Sequence, residues 1–185
     1  MDTPVVEAAN GLRIRLLRDA GEDYELLTHW LSDERVLEFI FGRDTPFDYH
    51  KVVQKYGPRA EGRNRVVACI FEQAGQPLGY LQFYAVDDAT EYSLESAEGV
   101  YGVDLFIGEP EQWNKGIGTA VLEALTQYLF EGPGVTRIVI DTQVTNSRAI
   151  RCYEKCGFRC EKVLPRHELH EGEWRDCWLM VKVRP

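Results

Sequence analysis

The turn Trp113-Asn114-Lys115-Gly116-Ile117-Gly118-Thr119, with an amphipathic segment directly behind it, constrains this chain more than any other stretch. Gly116 and Gly118 carry no side chain, so their amides can approach a ligand closely, and a helix opening there adds unpaired N–H groups and the positive end of a dipole. That combination suits a pyrophosphate. Behind the turn, Val121, Leu122, Leu125, Tyr128 and Leu129 fall on one helical face, while Glu123, Gln127 and Glu131 fall largely off it. The loop therefore leads into a helix packed on a core. Lys115 precedes the first glycine and no Gly-Lys-Ser/Thr follows, and the spacing is not Gly-x-Gly-x-x-Gly, which argues against nucleoside triphosphates and dinucleotides. Alone, a glycine pair before a helix also occurs in turns that hold nothing.

A second signature follows about thirty residues on. Thr136 to Asp141 holds the apolar run Ile138-Val139-Ile140, Asn146 is a good N-cap for the segment behind it, and Gly157 stands where a left-handed C-terminal residue belongs. The reading is strand, loop, capped helix, stop. The order of a Gly-x-Gly helix, a strand and then Asn146-Ser147-Arg148-Ala149-Ile150-Arg151-Cys152-Tyr153-Glu154-Lys155-Cys156-Gly157-Phe158 resembles the GCN5-related N-acetyltransferase superfamily, which passes acetyl from acetyl-CoA to an amine. Further blocks, Trp30 to Phe39, Gly79 to Tyr84, Tyr101 to Pro110 and Pro165 to Gly172, resemble its aminoglycoside 6'-N-acetyltransferase branch. The likeness runs from about Leu12 to Met180. One departure stands out: the superfamily loop usually opens with Gln or Arg three residues before the first glycine, and here Trp113 occupies that place, leaving its role open.

The resemblance implies an α/β (α+β) fold with a mixed, mostly antiparallel sheet, splayed between the strand before the Gly-x-Gly loop and the strand after its helix. Acetyl-CoA would lie in that splay, its pantetheine arm on the backbone of Leu105, Phe106 and Ile107 and its pyrophosphate on the amides of Trp113, Asn114, Lys115, Gly116, Ile117, Gly118 and Thr119. Asn146 would face it from the second helix, or serve as a plain cap, or both. Asp104 is the candidate base: a carboxylate within Val103-Asp104-Leu105-Phe106-Ile107 is costly unless paired or useful. Tyr153 is the candidate acid toward the leaving thiolate, since a phenol with a pKa of about 10 donates at neutral pH. For a cationic amino sugar, the resemblance points to Gln82, Tyr84, Asp104, Asp141 and Asp176, and more weakly to Glu38, Asp87, Asp88, Glu168 and Glu171. Two other readings stay open: acetylation of another amine such as a lysine, polyamine or siderophore precursor, and an acetyl-CoA-binding module without turnover.

Composition agrees with an enzyme of this kind. The 185 residues and 44% apolar content suit one domain spanning 1–185 with a proper core. A formal net charge of −9 disfavours nucleic acid and favours a cationic partner. Met1 to Gly11 has no basic stretch followed by an apolar core, and no apolar run approaches about 18 residues, so a cytoplasmic protein away from membranes is expected. A monomer is the expected state, with a dimer left open. Cys69, Cys152, Cys156, Cys160 and Cys177 are read as free thiols. Cys152, Cys156, Cys160, His167 and His170 invite a zinc reading, but the two-residue cysteine spacings are missing and His167-Glu168-Leu169-His170 is not His-Glu-x-x-His, so no metal is expected.

The remaining elements follow from periodicity. Strands are expected over Leu12 to Arg18, Arg65 to Glu72, Pro77 to Val86, Val100 to Ile107, Arg159 to Leu164 and Trp174 to Val183. Helical segments are expected from Tyr24 to Leu31, continuing broken to Phe39, and from Asp48 to Tyr56. Asp87 to Glu98 reads as an acidic loop between two sheet strands.

Overall fold

The computed structural model describes residues 5–8 and 11–185, so part of the N-terminal stretch read above, Met1 to Pro4 with Ala9 and Asn10, lies outside the described residues. Strand alternation organises the rest. In the strand Val67–Gln73, Cys69 and Phe71 face one side of a sheet and pack with Val121, Leu122 and Leu125, whereas Ala68 and Ile70 face the other and pack with Tyr24, Leu27, Trp30, Val52 and Tyr56. A period of two thus serves two cores at once, with helices on both faces.

Among the described residues the sheet has eight strands: β1 (Val6–Glu7), β2 (Leu12–Leu16), β3 (Val67–Gln73), β4 (Gln76–Ala85), β5 (Val100–Ile107), β6 (Arg137–Gln143), β7 (Arg159–His170) and β8 (Glu173–Val183). Their order is β1-β2-β3-β4-β5-β6-β8-β7, and every pairing is antiparallel except β5 with β6. Helices α1 (Gly21–Trp30), α2 (Glu34–Leu37) and α3 (Tyr49–Ala60) lie toward the face carrying Ile70 and Tyr80, with α1 and α3 packed on that core. The opposite core is built on α4 (Ile117–Glu131) and α5 (Ser147–Lys155).

The one parallel pairing positions the site. β5 and β6 meet only at Val100, Tyr101 and Gly102 against Arg137, Ile138 and Val139. Beyond that point β5 stays paired with β4 as far as Ile107, and β6 stays paired with β8 as far as Gln143. Each strand is held from its far side, so the two diverge and leave the facing edge of Asp104 to Ile107 unpaired by β6. This is the expected splay.

Several expectations need correcting. β7 runs to His170 rather than ending at Leu164, because the ladder with β8 is interrupted between Leu164 and Glu168 and then resumes. Pro165, lacking an N–H, falls in that gap, and Arg166 there has φ 50°. α3 runs past Tyr56 to Ala60, since Pro58 sits in the last turn and removes only one internal bond before Glu61 N–H closes on the Gly57 carbonyl. Tyr128 is 41% exposed, meeting Phe83 edge-on at 6.3 Å, while Thr126 and Phe130 are buried in its stead. The acidic loop contains a 3-10 turn, Ala89–Tyr92, capped by Asp88 and anchored by the buried Tyr92, which packs with Val86, Val100, Val139 and Leu164.

Candidate active site

The glycine turn acquires its shape locally. Gly116 is the N-cap of α4 at φ 81°, ψ −1°, a left-handed conformation that a side chain would oppose, and Asn114 at φ 61° turns the chain just before it. α4 therefore opens toward the splay with its first N–H groups free of intrahelical partners. Gly118 answers a packing need as well: a Cβ there would sit 3.2 Å from Cys152 Sγ on α5. Trp113 also gains a role. Its indole Nε1 donates to the Ile107 carbonyl at 3.0 Å, and the Arg148 guanidinium lies 3.8 Å from the ring centroid. A guanidinium missing from the loop position is thus present in space, supplied from α5. Arg151 and Lys155 follow Arg148 on the same groove wall, so this end of the cleft is cationic.

The cleft, about 630 Å³, runs from this loop along β5 to α2 and α3. At its middle stands Asp104, directly across the β4–β5 ladder from Gln82, whose Nε2 donates to Asp104 Oδ2 at 2.6 Å. Gln82 Oε1 in turn accepts from Arg59 Nη1 at 2.6 Å and from the Tyr80 hydroxyl at 2.7 Å. Burial raises the Asp104 carboxyl above its ordinary value, opposed by the Gln82 hydrogen bond and the Arg59 charge. From β6, Asp141 faces the same space; burial together with the charges of Asp104 and Glu168 pushes it up to about 7. Glu168 arrives from β7, accepting from Gln143 Nε2 at 3.1 Å, and His167 Nε2 lies 3.6 Å from Asp141 Oδ2. The interruption in β7 carries these two residues into the site. Across the cleft Tyr153 on α5 is buried, and burial, with the neighbouring Cys152, Asp104 and Asp141, holds its phenol well above the usual range and so protonated.

Of the residues expected from the sequence, Gln82, Asp104, Leu105, Phe106, Ile107, Trp113, Asn114, Gly116, Ile117, Gly118, Thr119, Asp141, Asn146 and Tyr153 all line this one cleft. Three expected residues do not. Lys115, expected to offer its backbone amide, points its side-chain amine at Gln112; Tyr84 engages the Tyr92 hydroxyl at 2.7 Å while staying beside Asp104, whose ionised carboxyl it favours; and exposed Asp176 accepts from the Arg166 amide at 2.8 Å. Asn146 spends its side chain as a cap, accepting from Ala149 N–H at 3.2 Å. The weaker candidates Asp87 and Glu171 pair with Arg65 and Arg43, and Asp88 caps Thr90. Sequence reasoning missed Arg59, Tyr56, Tyr80 and Lys55. The first lay beyond the expected helix end at Tyr56, and the two tyrosines carry no motif of their own. Lys55, its Nζ 4.3 Å from the Phe41 ring centroid, carries no motif. Among the described residues no group of three or more His, Cys, Asp or Glu has a metal-holding arrangement, and all five cysteines are free.

A cationic groove beneath a helix N-terminus and a carboxylate-lined chamber, joined where two strands part, suit group transfer: the first fits a phosphorylated carrier, the second a cationic acceptor. The chain belongs to the acetyltransferase (GNAT) domain family, whose model matches residues 19–165. It is 32% identical over 156 residues to the aminoglycoside N(6')-acetyltransferase type 1 of Klebsiella pneumoniae, covering 83% of this chain and 77% of that relative. A crystal structure of the aminoglycoside acetyltransferase AAC(6')-Ib in complex with coenzyme A superposes with a TM-score of 0.78 at 30% identity, covering 94% of this chain and 95% of the other. The same enzyme with coenzyme A and kanamycin gives 0.77 at 30% identity, with the same two shares covered. A spermidine N-acetyltransferase from Vibrio cholerae, TM-score 0.75 at 18% identity over 94% of this chain and 96% of that one, shares the fold alone.

Proposed function

We propose that this chain is a single acetyltransferase domain that works as a monomer in the cytoplasm and transfers acetyl from acetyl-CoA to the 6'-amine of aminoglycoside antibiotics, thereby conferring resistance. The observation that carries this reading is the half-buried Asp104 at the point where the phosphate-suited groove opens into a chamber also lined by Asp141 and Glu168. A polycationic amino sugar offers ammonium groups to three carboxylates at once, each interaction strengthened where water is excluded. The relatives named for aminoglycoside acetylation support the same assignment.

The residues divide the chemistry as follows. The β5 edge left open by β6 from Leu105 to Ile107, where Trp113 already engages the Ile107 carbonyl, hydrogen-bonds the pantetheine arm; α4 N–H groups and Arg148 hold the pyrophosphate. The acceptor's 6'-ammonium binds Asp104, which takes one proton and passes it to water; the freed amine nitrogen attacks the acetyl carbonyl, and as the C–N bond forms and the C–S bond breaks the nitrogen gives its second proton to Asp104. Tyr153 donates its proton to the departing thiolate, and exchange with water restores both side chains. Asp141 and Glu168 hold further ammonium groups of the sugar.

The decisive test is acetyl-CoA-dependent release of CoA with neomycin and paromomycin, which carry an amine and a hydroxyl at the 6' position respectively. Turnover of neomycin with none of paromomycin is expected. Equal turnover of both would place the acetylated amine elsewhere on the sugar, and no turnover of either would move the reading to another amine or to a non-catalytic binder.

A further inference from the structure

We propose that Arg59, which touches neither half-site ligand in the reading above, is a positioning residue for transfer: it fixes the Gln82 amide so that its NH2 group, and not its oxygen, faces Asp104. The inference rests on Asp104 being the proton acceptor. Three elements meet at this point. Arg59 comes from the last turn of α3, Gln82 and Tyr80 from β4, and Asp104 from β5.

The amide orientation follows from the donors around it. Gln82 Oε1 receives two hydrogen bonds, from Arg59 Nη1 at 2.6 Å and Tyr80 Oη at 2.7 Å, while Nε2 gives one to Asp104 Oδ2 at 2.6 Å. Flipping the amide would set NH2 against two donors and the oxygen against a carboxylate, so both ends would repel. Arg59 is itself located by the Tyr56 ring, 5.2 Å from its guanidinium carbon, and by the Tyr80 hydroxyl at 3.3 Å. Among the described residues it has no carboxylate ion-pair partner, so its charge is directed along the Gln82 amide.

This matters because the groups facing Asp104 are otherwise hostile to a second negative charge. Asp141 faces it from β6 and Glu168 from β7, while Tyr84 from β4 and Tyr153 from α5 are neutral. Arg59 is the cation opposing them, with Lys55 one turn back on α3. Gln82, expected from the sequence to bind substrate directly, thus has its oxygen fully engaged and acts through Asp104, beside which Tyr84 also stands.

The test is the single-turnover rate at saturating acetyl-CoA and neomycin from pH 5.5 to 9, for the wild type, Arg59→Met, Arg59→Lys, Gln82→Leu and Asp104→Asn. Arg59→Met is expected to be about tenfold slower than wild type near pH 6 and within about twofold near pH 8.5, because loss of a nearby cation favours the protonated carboxyl. Arg59→Lys restores most of the loss at pH 6, and Gln82→Leu reproduces the pH-dependent loss from the other side of the link. A merely structural Arg59 would lower the rate by one factor at all pH values, or not at all, and either result overturns the proposal. Asp104→Asn separates the two layers of argument. If it keeps the wild-type rate, the base assignment fails and the relay with it; if it is inactive while the Arg59→Met ratio stays flat, the relay alone fails. Absence of wild-type turnover with neomycin overturns the aminoglycoside reading and the relay together.

Discussion

Asp141 shows how far one residue's surroundings can bend its chemistry. Its carboxyl is lifted to about 7, first by burial and then by the charges of Asp104 and Glu168, whereas an unfolded chain would titrate it near 3.9. The folded protein therefore holds a proton that the unfolded chain has lost, across the window from about 4 to about 7. Stability contributed at this position is present below that window and falls as pH rises through it, levelling off above. Asp141→Asn removes the liability, so its Tm relative to wild type should be near zero difference at pH 4 and several degrees higher at pH 8, by calorimetry. The same variant should bind acceptor worse. A bound ammonium favours the ionised form, so wild-type binding at pH 6.5 should expel a proton that Asp141→Asn does not expel. Titration calorimetry in two buffers of different ionisation enthalpy reads that proton directly, and equal buffer dependence in the two proteins would exclude Asp141 as its source.

At the scale of elements, the site depends on α4 and α5 being able to lie close together beside the groove. Gly118 on α4 leaves room for Cys152 Sγ, which also lies 3.6 Å from Thr119 Oγ1, and Cys156 Sγ donates to the Thr119 carbonyl at 3.6 Å. Gly118→Ala is expected to push the helices apart and weaken acetyl-CoA binding by about tenfold, roughly 1.4 kcal/mol. Adding Cys152→Ala should return most of it, since the clash is with one sulfur. A double-mutant cycle on acetyl-CoA affinity checks this, and strict additivity would show that the glycine serves the ligand and not the helix contact. These elements were legible in the sequence because their signals are local: a glycine cap, a helical apolar face, an Asn146 cap and a Gly157 stop. What stayed hidden depended on chain brought from afar. Arg59 reaches Gln82 across 23 sequence positions, and Glu168 reaches Gln143 across 25, by way of an interruption in β7 beyond the expected strand end at Leu164. The contact of Tyr84 with Tyr92 was hidden for the same reason: Tyr92 lies in a loop whose acidic composition concealed a buried turn.

Over the whole molecule the charges are partly sorted, with Arg59 and Lys55 as the cations on the carboxylate side of the cleft. A net charge of −9 surrounds a cleft whose acceptor chamber is lined by Asp104, Asp141 and Glu168, and whose carrier groove is lined by Arg148, Arg151 and Lys155. A polycation is drawn both by the overall field and by the chamber, so the two effects add. An anionic carrier is repelled by the overall field and drawn by the groove, so they oppose. Salt screens the long-range part first, because the Debye length falls to about 10 Å at 0.1 M ionic strength. Raising the salt from about 20 to about 200 mM should therefore lower kcat/KM for neomycin by about tenfold while changing kcat/KM for acetyl-CoA by less than about threefold. Initial rates with each substrate varied in turn, the other saturating, give both slopes. Parallel slopes would mean that the two substrates meet the same field and that the sorting of charge along the cleft has no bearing on how either is captured. Divergent slopes would tie capture of the acceptor to the acidic surface, so that the excess carboxylates far from the site serve the reaction by delivering its cation.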